Sequence, residues 1–143
     1  MFAAYRNPAR AYAGVAMETS VAGARPADLV VLLYAGAIEG ITKAIGHMHE
    51  RKIAAKGEAI TRVIRIIDEG LRAALDPQAG EISNQLGDLY GYMTQRLLLG
   101  NLKNDLAMLE EVRSLLQDLK TAWDELASRP NGAVVTPTPR LQG

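Results

Sequence analysis

Residues 109–126 read LEEVRSLLQDLKTAWDEL, and within them Leu109, Val112, Leu116, Leu119, Trp123 and Leu126 recur at steps of 3, 4, 3, 4 and 3. Side chains three and four apart share one face of an α-helix, whereas a strand would alternate at every second position. The stretch is therefore a helix with one apolar stripe. The same count finds three more. Val30, Tyr34, Ala37, Ile41, Ala44 and Met48 form the first stripe, and Ile60, Ile64, Ile67, Leu71 and Ala74 the second. Ile82, Leu86, Leu89, Met93 and Leu97 form the third.

These stripes predict helices near 26–49, 53–76, 81–100 and 103–127. Pro26 suits a first helical position, where its missing N–H costs nothing, and Asp76-Pro77-Gln78-Ala79-Gly80 is a turn that stops the second helix. Helices roughly 35 Å long joined by short loops run antiparallel to their neighbours. An all-α, antiparallel up-and-down four-helix bundle is expected over 25–127. Residues 1–24 are Ala-rich and weakly periodic, and read as an N-terminal capping arm. Residues 128–143, with Pro130, Asn131, Gly132, Pro137 and Pro139, read as a disordered tail.

Composition narrows the functions. Of 143 residues, 22 are Ala and 18 Leu against 8 Val and one Phe, which favours helix over sheet. Sixteen basic residues balance sixteen acidic ones, so no general electrostatic grip on nucleic acid or anionic membrane is expected. Cysteine is absent, which removes disulfides, thiolate catalysis and Cys-ligated metals together. The longest run without a polar side chain, Leu29 to Ile38, is about half the ~20 residues of a membrane span. Arg6, Pro8 and Arg10 interrupt the start of the chain where a secretory signal would carry its apolar core. A soluble, intracellular helical protein is expected.

Catalytic and metal chemistry find no support. Di-iron bundles place Glu-x-x-His pairs on facing helices, but His47 and His49 share one helix end, two residues apart and so turned away from each other. Imidazoles there suit the helix dipole as solvated side chains. None of Ser20, Ser83, Ser114 and Ser128 lies in a Gly-x-Ser-x-Gly elbow, and no phosphate-binding loop occurs. The charges at Glu58–Arg62, Arg65–Glu69 and Asp68–Arg72 are i,i+4 partners on a solvated face. The same acids cancel the Arg62, Arg65, Arg72 row as a nucleic-acid patch. Neither an enzyme nor a cofactor or metal site is expected.

The anomaly is surplus apolar surface. Leu29 through Ala35 are apolar in succession, so the first helix is greasy on every side for two turns, and Leu97-Leu98-Leu99 with Leu102 repeats this at the third-to-fourth junction. With one buried stripe per helix, the remainder needs a cover: the N-terminal arm, a second copy, or a partner. Gly36 with Gly40 and Gly87 with Gly91 each lie on one helical face, where glycine costs a helix roughly 0.5–1 kcal/mol and permits close backbone approach. The approaching backbone is either a neighbouring helix or a client helix in a groove.

An ordered series of segments resembles the flagellin-specific export chaperones, the FliS family. Arg10-Ala11-Tyr12-Ala13 with Val15 and Glu18 opens it, followed by Pro26-x-x-Leu29 and Leu33-Tyr34-x-Gly36-Ala37. Lys56-Gly57-Glu58-Ala59-Ile60, Ile66 to Leu71, and Leu75-Asp76 continue it. Leu89-Tyr90-x-Tyr92-Met93, Arg96-Leu97-Leu98, Asn101-Leu102-x-Asn104-Asp105, Glu110-Glu111-Val112 and Ala122-Trp123 complete it. The likeness runs from about residue 5 to 126. Ala35 and Gly91 depart from it, standing where the family often has an acid, and the C-terminal tail lies outside it.

The resemblance implies an antiparallel bundle whose N-terminal segment caps a hydrophobic groove. Such a protein binds the C-terminal, polymerisation-competent segment of flagellin in the cytoplasm. It prevents premature filament assembly and delivers its client to the export gate of the flagellar type III apparatus. Leu29, Leu32, Leu33, Leu98, Leu99 and Leu102 are the expected flagellin contacts, with Tyr34, Tyr90 and Tyr92 as groove walls. Tyr12 belongs to the cap and is tied by the resemblance to export. Trp123, on its stripe, is expected in the core. The competing reading is a structural or adaptor bundle that uses its apolar surplus to homodimerise.

Overall fold

The computed structural model describes residues 26–128. The expected capping arm, Tyr12 included, and all but the first residue of the expected tail lie outside the described residues. Helix α1 spans Pro26–His49, and α2 spans Ile53–Arg65 and runs on as a π-helical segment, Ile66–Leu71. A 3₁₀ turn, Pro77–Ala79, leads to α3, Glu81–Lys103, and then to α4, Leu106–Ala127. Helix α1 packs along both α2 and α4, while α3 closes against α4 and the second helical segment. The fold is an all-α bundle of four helices.

The stripes counted in the sequence are the faces that meet. Tyr34, Ala37, Ile41 and Ala44 of α1, Ile60, Val63 and Ile67 of the second segment, Tyr90, Met93 and Leu97 of α3, and Leu109, Val112 and Leu116 of α4 are buried together. Full burial of each large aliphatic side chain contributes about 1.5–3 kcal/mol. By length and composition α1 could cross a membrane, with a mean hydropathy of 1.6 over its most apolar window. Here that hydropathy serves the bundle. The premise of one buried stripe per helix fails for α1 because two helices flank it, so Leu33 and Ile45, off the stripe, are buried and Ile38 also packs against the core.

The connections carry their own chemistry. The Arg72 N–H reaches back five residues to the Ile67 carbonyl (2.8 Å), the signature of a π turn. The helix then stops at Leu71, short of the expected residue 76. Asp76 caps the 3₁₀ turn by accepting from the Gln78 N–H (2.9 Å), and the Ser83 hydroxyl donates to the Asp76 carbonyl (2.5 Å). Helix α3 runs on through Gly100, which is a packing residue: a Cβ there would sit 3.1 Å from Leu109 Cδ2 and 3.2 Å from Met108 Cβ. Asn104, left-handed at φ 52°, ends α3, and Asp105 starts α4 by accepting from the Met108 N–H (3.3 Å).

Candidate functional site

The early end of α2's π segment decides where the site lies. Among the described residues no α-helix follows the second segment beyond Leu71 to lie against the start of α3 and the end of α4, so their stripes run on past their partner. The result is an open apolar groove of about 580 Å³. Leu71 and Leu75 form one wall, Ile82, Leu86, Leu89 and Tyr90 the second, Leu119, Trp123 and Leu126 the third, and Val30 of α1 closes the end. Among the described residues the polar members are Asp76, Ser83, Gln85 and Glu125, and no basic side chain lines the groove.

At the groove's inner side the Tyr90 hydroxyl meets the Tyr34 hydroxyl at 2.5 Å. Burial holds both phenols above their usual value. For Tyr34 the neighbouring Tyr90 adds to this, while a hydrogen bond from Trp123 works against it. For Tyr90 the bond to Tyr34 works against burial. Two neutral phenols in a dry contact supply no acid or base near neutral pH.

A second apolar region lies on the outer face of α3, where Leu98 and Leu102 are 58% and 76% exposed with Leu99 partly buried. Beside it Tyr92 donates to Glu111 Oε2 (2.5 Å) and Arg96 Nε donates to Glu111 Oε1 (2.8 Å). The Arg96 guanidinium stands 5.7 Å from the Tyr92 ring centre. The Tyr92 bond is the main cause holding the Glu111 carboxyl below its usual range. At the opposite end from the groove, Lys56 is buried, and its ammonium donates to the Asn101 carbonyl (3.0 Å) and to Asn104 Oδ1. It thus satisfies one of the last carbonyls of α3, where the helix dipole favours a cation. His47 lines a smaller cleft near Lys56. Among the described residues no three His, Cys, Asp or Glu side chains gather as a metal site.

The family described as "Flagellar protein FliS" matches residues 8–130. The chain is 40% identical over 121 residues to the flagellar secretion chaperone FliS of Salmonella typhimurium, covering 84% of this chain and 90% of that protein. It is 40% identical over 117 residues to the flagellar secretion chaperone FliSB of Pseudomonas aeruginosa, covering 81% and 92%. Over 122 residues it is 34% identical to the FliS of Bacillus subtilis, covering 85% and 87%. The chain belongs to the FliS family.

In this FliS-family chain the expected contact residues separate into three groups. Leu33 (4% exposed), Tyr34 (0%) and Tyr90 (2%) are core, so Leu33 and Tyr34 offer no surface to a partner and Tyr34 is no groove wall. Tyr90 does line the groove, from its floor. Leu32, Tyr92, Leu98 and Leu102 are exposed, and Leu29 and Leu99 are partly buried. None of these six lines the groove. Trp123 is also displaced from its expected place: it is partly buried against the core and forms groove wall.

Of the groove residues, Leu71, Ile82, Leu86, Leu89, Leu119 and Leu126 lie on the stripes that the spacing assigns to the interior, and Leu75 lies on none of them. Periodicity gives a stripe's direction but not the length of the helix opposite it. The usable signal was the turn at Asp76–Gly80, beside which two stripes end. Of the glycine pairs, Gly40 does mark a close approach, with a Cβ there falling 2.5 Å from Val63 Cγ2, while Gly87 and Gly91 face ordinary contacts.

Proposed function

We infer that this chain is a cytoplasmic export chaperone that holds flagellin through an apolar segment near its C-terminus and hands it to the flagellar type III export gate. The observation that carries the reading is the 580 Å³ apolar groove in a chain of the FliS family. Its walls suit the apolar face of a client helix. The exposed Leu98, Leu99 and Leu102, with Leu29 and Leu32 on α1, give the client further contact. From Leu86 to Leu102 is roughly 24 Å along α3, so a client meeting both regions is extended. Capture works by mass action: a segment held here is withheld from filament assembly, and burial of its apolar side chains offsets the entropy of ordering it. No covalent step or cofactor is involved. The N-terminal arm with Tyr12 acts as a lid that leaves when the client arrives.

Calorimetry against a flagellin C-terminal peptide tests this. Micromolar or tighter binding with a negative heat-capacity change is expected, and Leu86→Glu and Leu98→Glu should each weaken it. A tight dimer indifferent to the peptide would replace this reading with that of a homodimeric structural bundle. For the lid, deleting residues 1–18 should leave the bundle folded and binding intact or tighter, yet impair flagellin secretion in cells. Normal secretion by that deletion would remove Tyr12 and the arm from the mechanism.

A further inference from the structure

The end of the bundle away from the groove is basic. A cleft of about 410 Å³ at the α1–α2 turn is lined by His47, Arg51, Lys52 and Lys56, with Met48 and Ile53 beside them, and among the described residues by no acid. Val30 lines the groove and His47 the cleft, roughly 26 Å apart along α1. Helix α1 begins and α4 ends on the groove side, so the described chain neither enters nor leaves the bundle beside the cleft. Lys56 is 3% exposed, yet its ammonium meets only neutral oxygens, the Asn101 carbonyl and Asn104 Oδ1. An ammonium carries three N–H donors, so one remains for the cleft that Lys56 lines. The α3 dipole supplies about half a negative charge there, which leaves a buried cation short of a full partner. Arg51 ends α1 in the left-handed region, at φ 58°, where glycine is the usual residue. The backbone strain is borne at a position that sets a guanidinium beside Lys52. Glu50 pairs with Lys52 at 3.1 Å, but the two side chains are 59% and 61% exposed, where such a pair is weak and readily exchanged.

We propose that this cleft docks an acidic segment of a partner protein, with two or more carboxylates flanking an apolar side chain. The carboxylates meet Arg51, Lys52 and the remaining Lys56 donor, and the apolar side chain seats on Met48 and Ile53. Ile53 decides for a peptide over a free phosphate: it is 71% exposed beside the cations, and a phosphate would satisfy the charge but leave it bare. The charges give such a contact its specificity and speed of encounter more than its strength. Because cleft and groove lie at opposite ends, the bundle can hold a client and the acidic partner at once. The proposal stands on the cleft alone, whichever segment fills the groove.

The probe is the blocked peptide Asp-Glu-Leu-Glu-Asp, titrated into the full chain and followed by amide NMR shifts. The amides of Arg51 to Lys56 and of Asn104 should move, and those around Trp123 should not. The neutral analogue Asn-Gln-Leu-Gln-Asn and inorganic phosphate should move them little at the same concentration. Arg51→Glu with Lys52→Glu should weaken the peptide about tenfold or more. Arg65→Glu with Lys120→Glu, the same change of charge away from the cleft, should leave its affinity near that of the parent. Arg51→Gly separates binding from folding, since it relaxes the turn and removes the guanidinium: affinity should fall while the melting temperature does not. A flagellin C-terminal peptide added in excess should leave the acidic peptide bound. Absent shifts, equal shifts from the neutral analogue or from phosphate, or equal weakening by the two double variants would overturn the proposal. Displacement of the acidic peptide by the flagellin peptide would overturn it too, by placing the cleft on the client's own path.

Discussion

Tyr34 and Tyr90, fifty-six positions apart, join α1 to α3 through a hydroxyl-to-hydroxyl hydrogen bond of 2.5 Å between two almost wholly buried rings. The Tyr90 hydroxyl depends on Tyr34 for its partner, whereas the Tyr34 hydroxyl is also approached by Trp123. Tyr34→Phe strands the Tyr90 hydroxyl and should cost about 1–3 kcal/mol in urea denaturation, whereas Tyr90→Phe leaves Tyr34 its bond from Trp123 and should cost less. The double variant should recover most of that loss, since it removes both polar atoms together. A double-variant loss equal to the sum of the two single losses would show that the pair carries no coupling.

The same pair sets an alkaline limit. Burial raises both phenols above the ordinary value of 10.0, so the folded state keeps them neutral. The unfolded chain ionises them first. Their contribution is therefore complete below about pH 10 and is lost as pH rises above it. Thermal melts should decline above that point, and the ultraviolet phenolate band of these two tyrosines should appear only with unfolding. The Tyr34→Phe, Tyr90→Phe double variant should lose less stability over the same range.

Gly40 and Gly46 lie on one helix and should respond in opposite ways to alanine. At Gly40 the new Cβ falls 2.5 Å from Cγ2 of fully buried Val63, whose branched side chain has little freedom to turn away. Gly40→Ala should destabilise by about 1–3 kcal/mol, and Val63→Ala should relieve part of that cost. Gly46 has open space around its Cβ position. Gly46→Ala should stabilise by about 0.5–1 kcal/mol. Denaturant midpoints for both variants check the pair.

Lys56→Met keeps the aliphatic stem of a side chain that is 3% exposed, and deletes the ammonium that serves Asn101 and Asn104. The stranded acceptors should cost about 1–3 kcal/mol. Amide hydrogen exchange should quicken around residues 100–105 before it does elsewhere. Uniform loosening of the bundle would assign Lys56 to general packing instead.

Trp123→Ala should cost about 2 kcal/mol, below the ~3–5 kcal/mol of a fully enclosed aromatic, because one side of the indole faces the groove. Client affinity should fall together with stability. Trp123→Phe should restore stability more fully than affinity. A variant that melts far below this range while binding normally would return Trp123 to the core.

The sequence by itself determined the helices, their inward faces and the class of fold. Each follows from spacing along one chain, and the turn residues Asp76–Gly80 and Asn104–Asp105 mark stops by local chemistry. It also determined the family, through motifs such as Leu33-Tyr34-x-Gly36-Ala37 whose order is itself information. Only the tertiary structure decided which apolar residues stay uncovered. Leu33 and Leu32 are chemically alike and adjacent, yet one is core and the other surface, because α1 lies between two neighbours whose positions no local pattern states. Leu86 and Leu89 look like interior stripe until the helix opposite ends at Leu71, fifteen residues upstream of Leu86 in sequence. Burial is a property of what stands across a gap, and that depends on where a different segment of the chain stops.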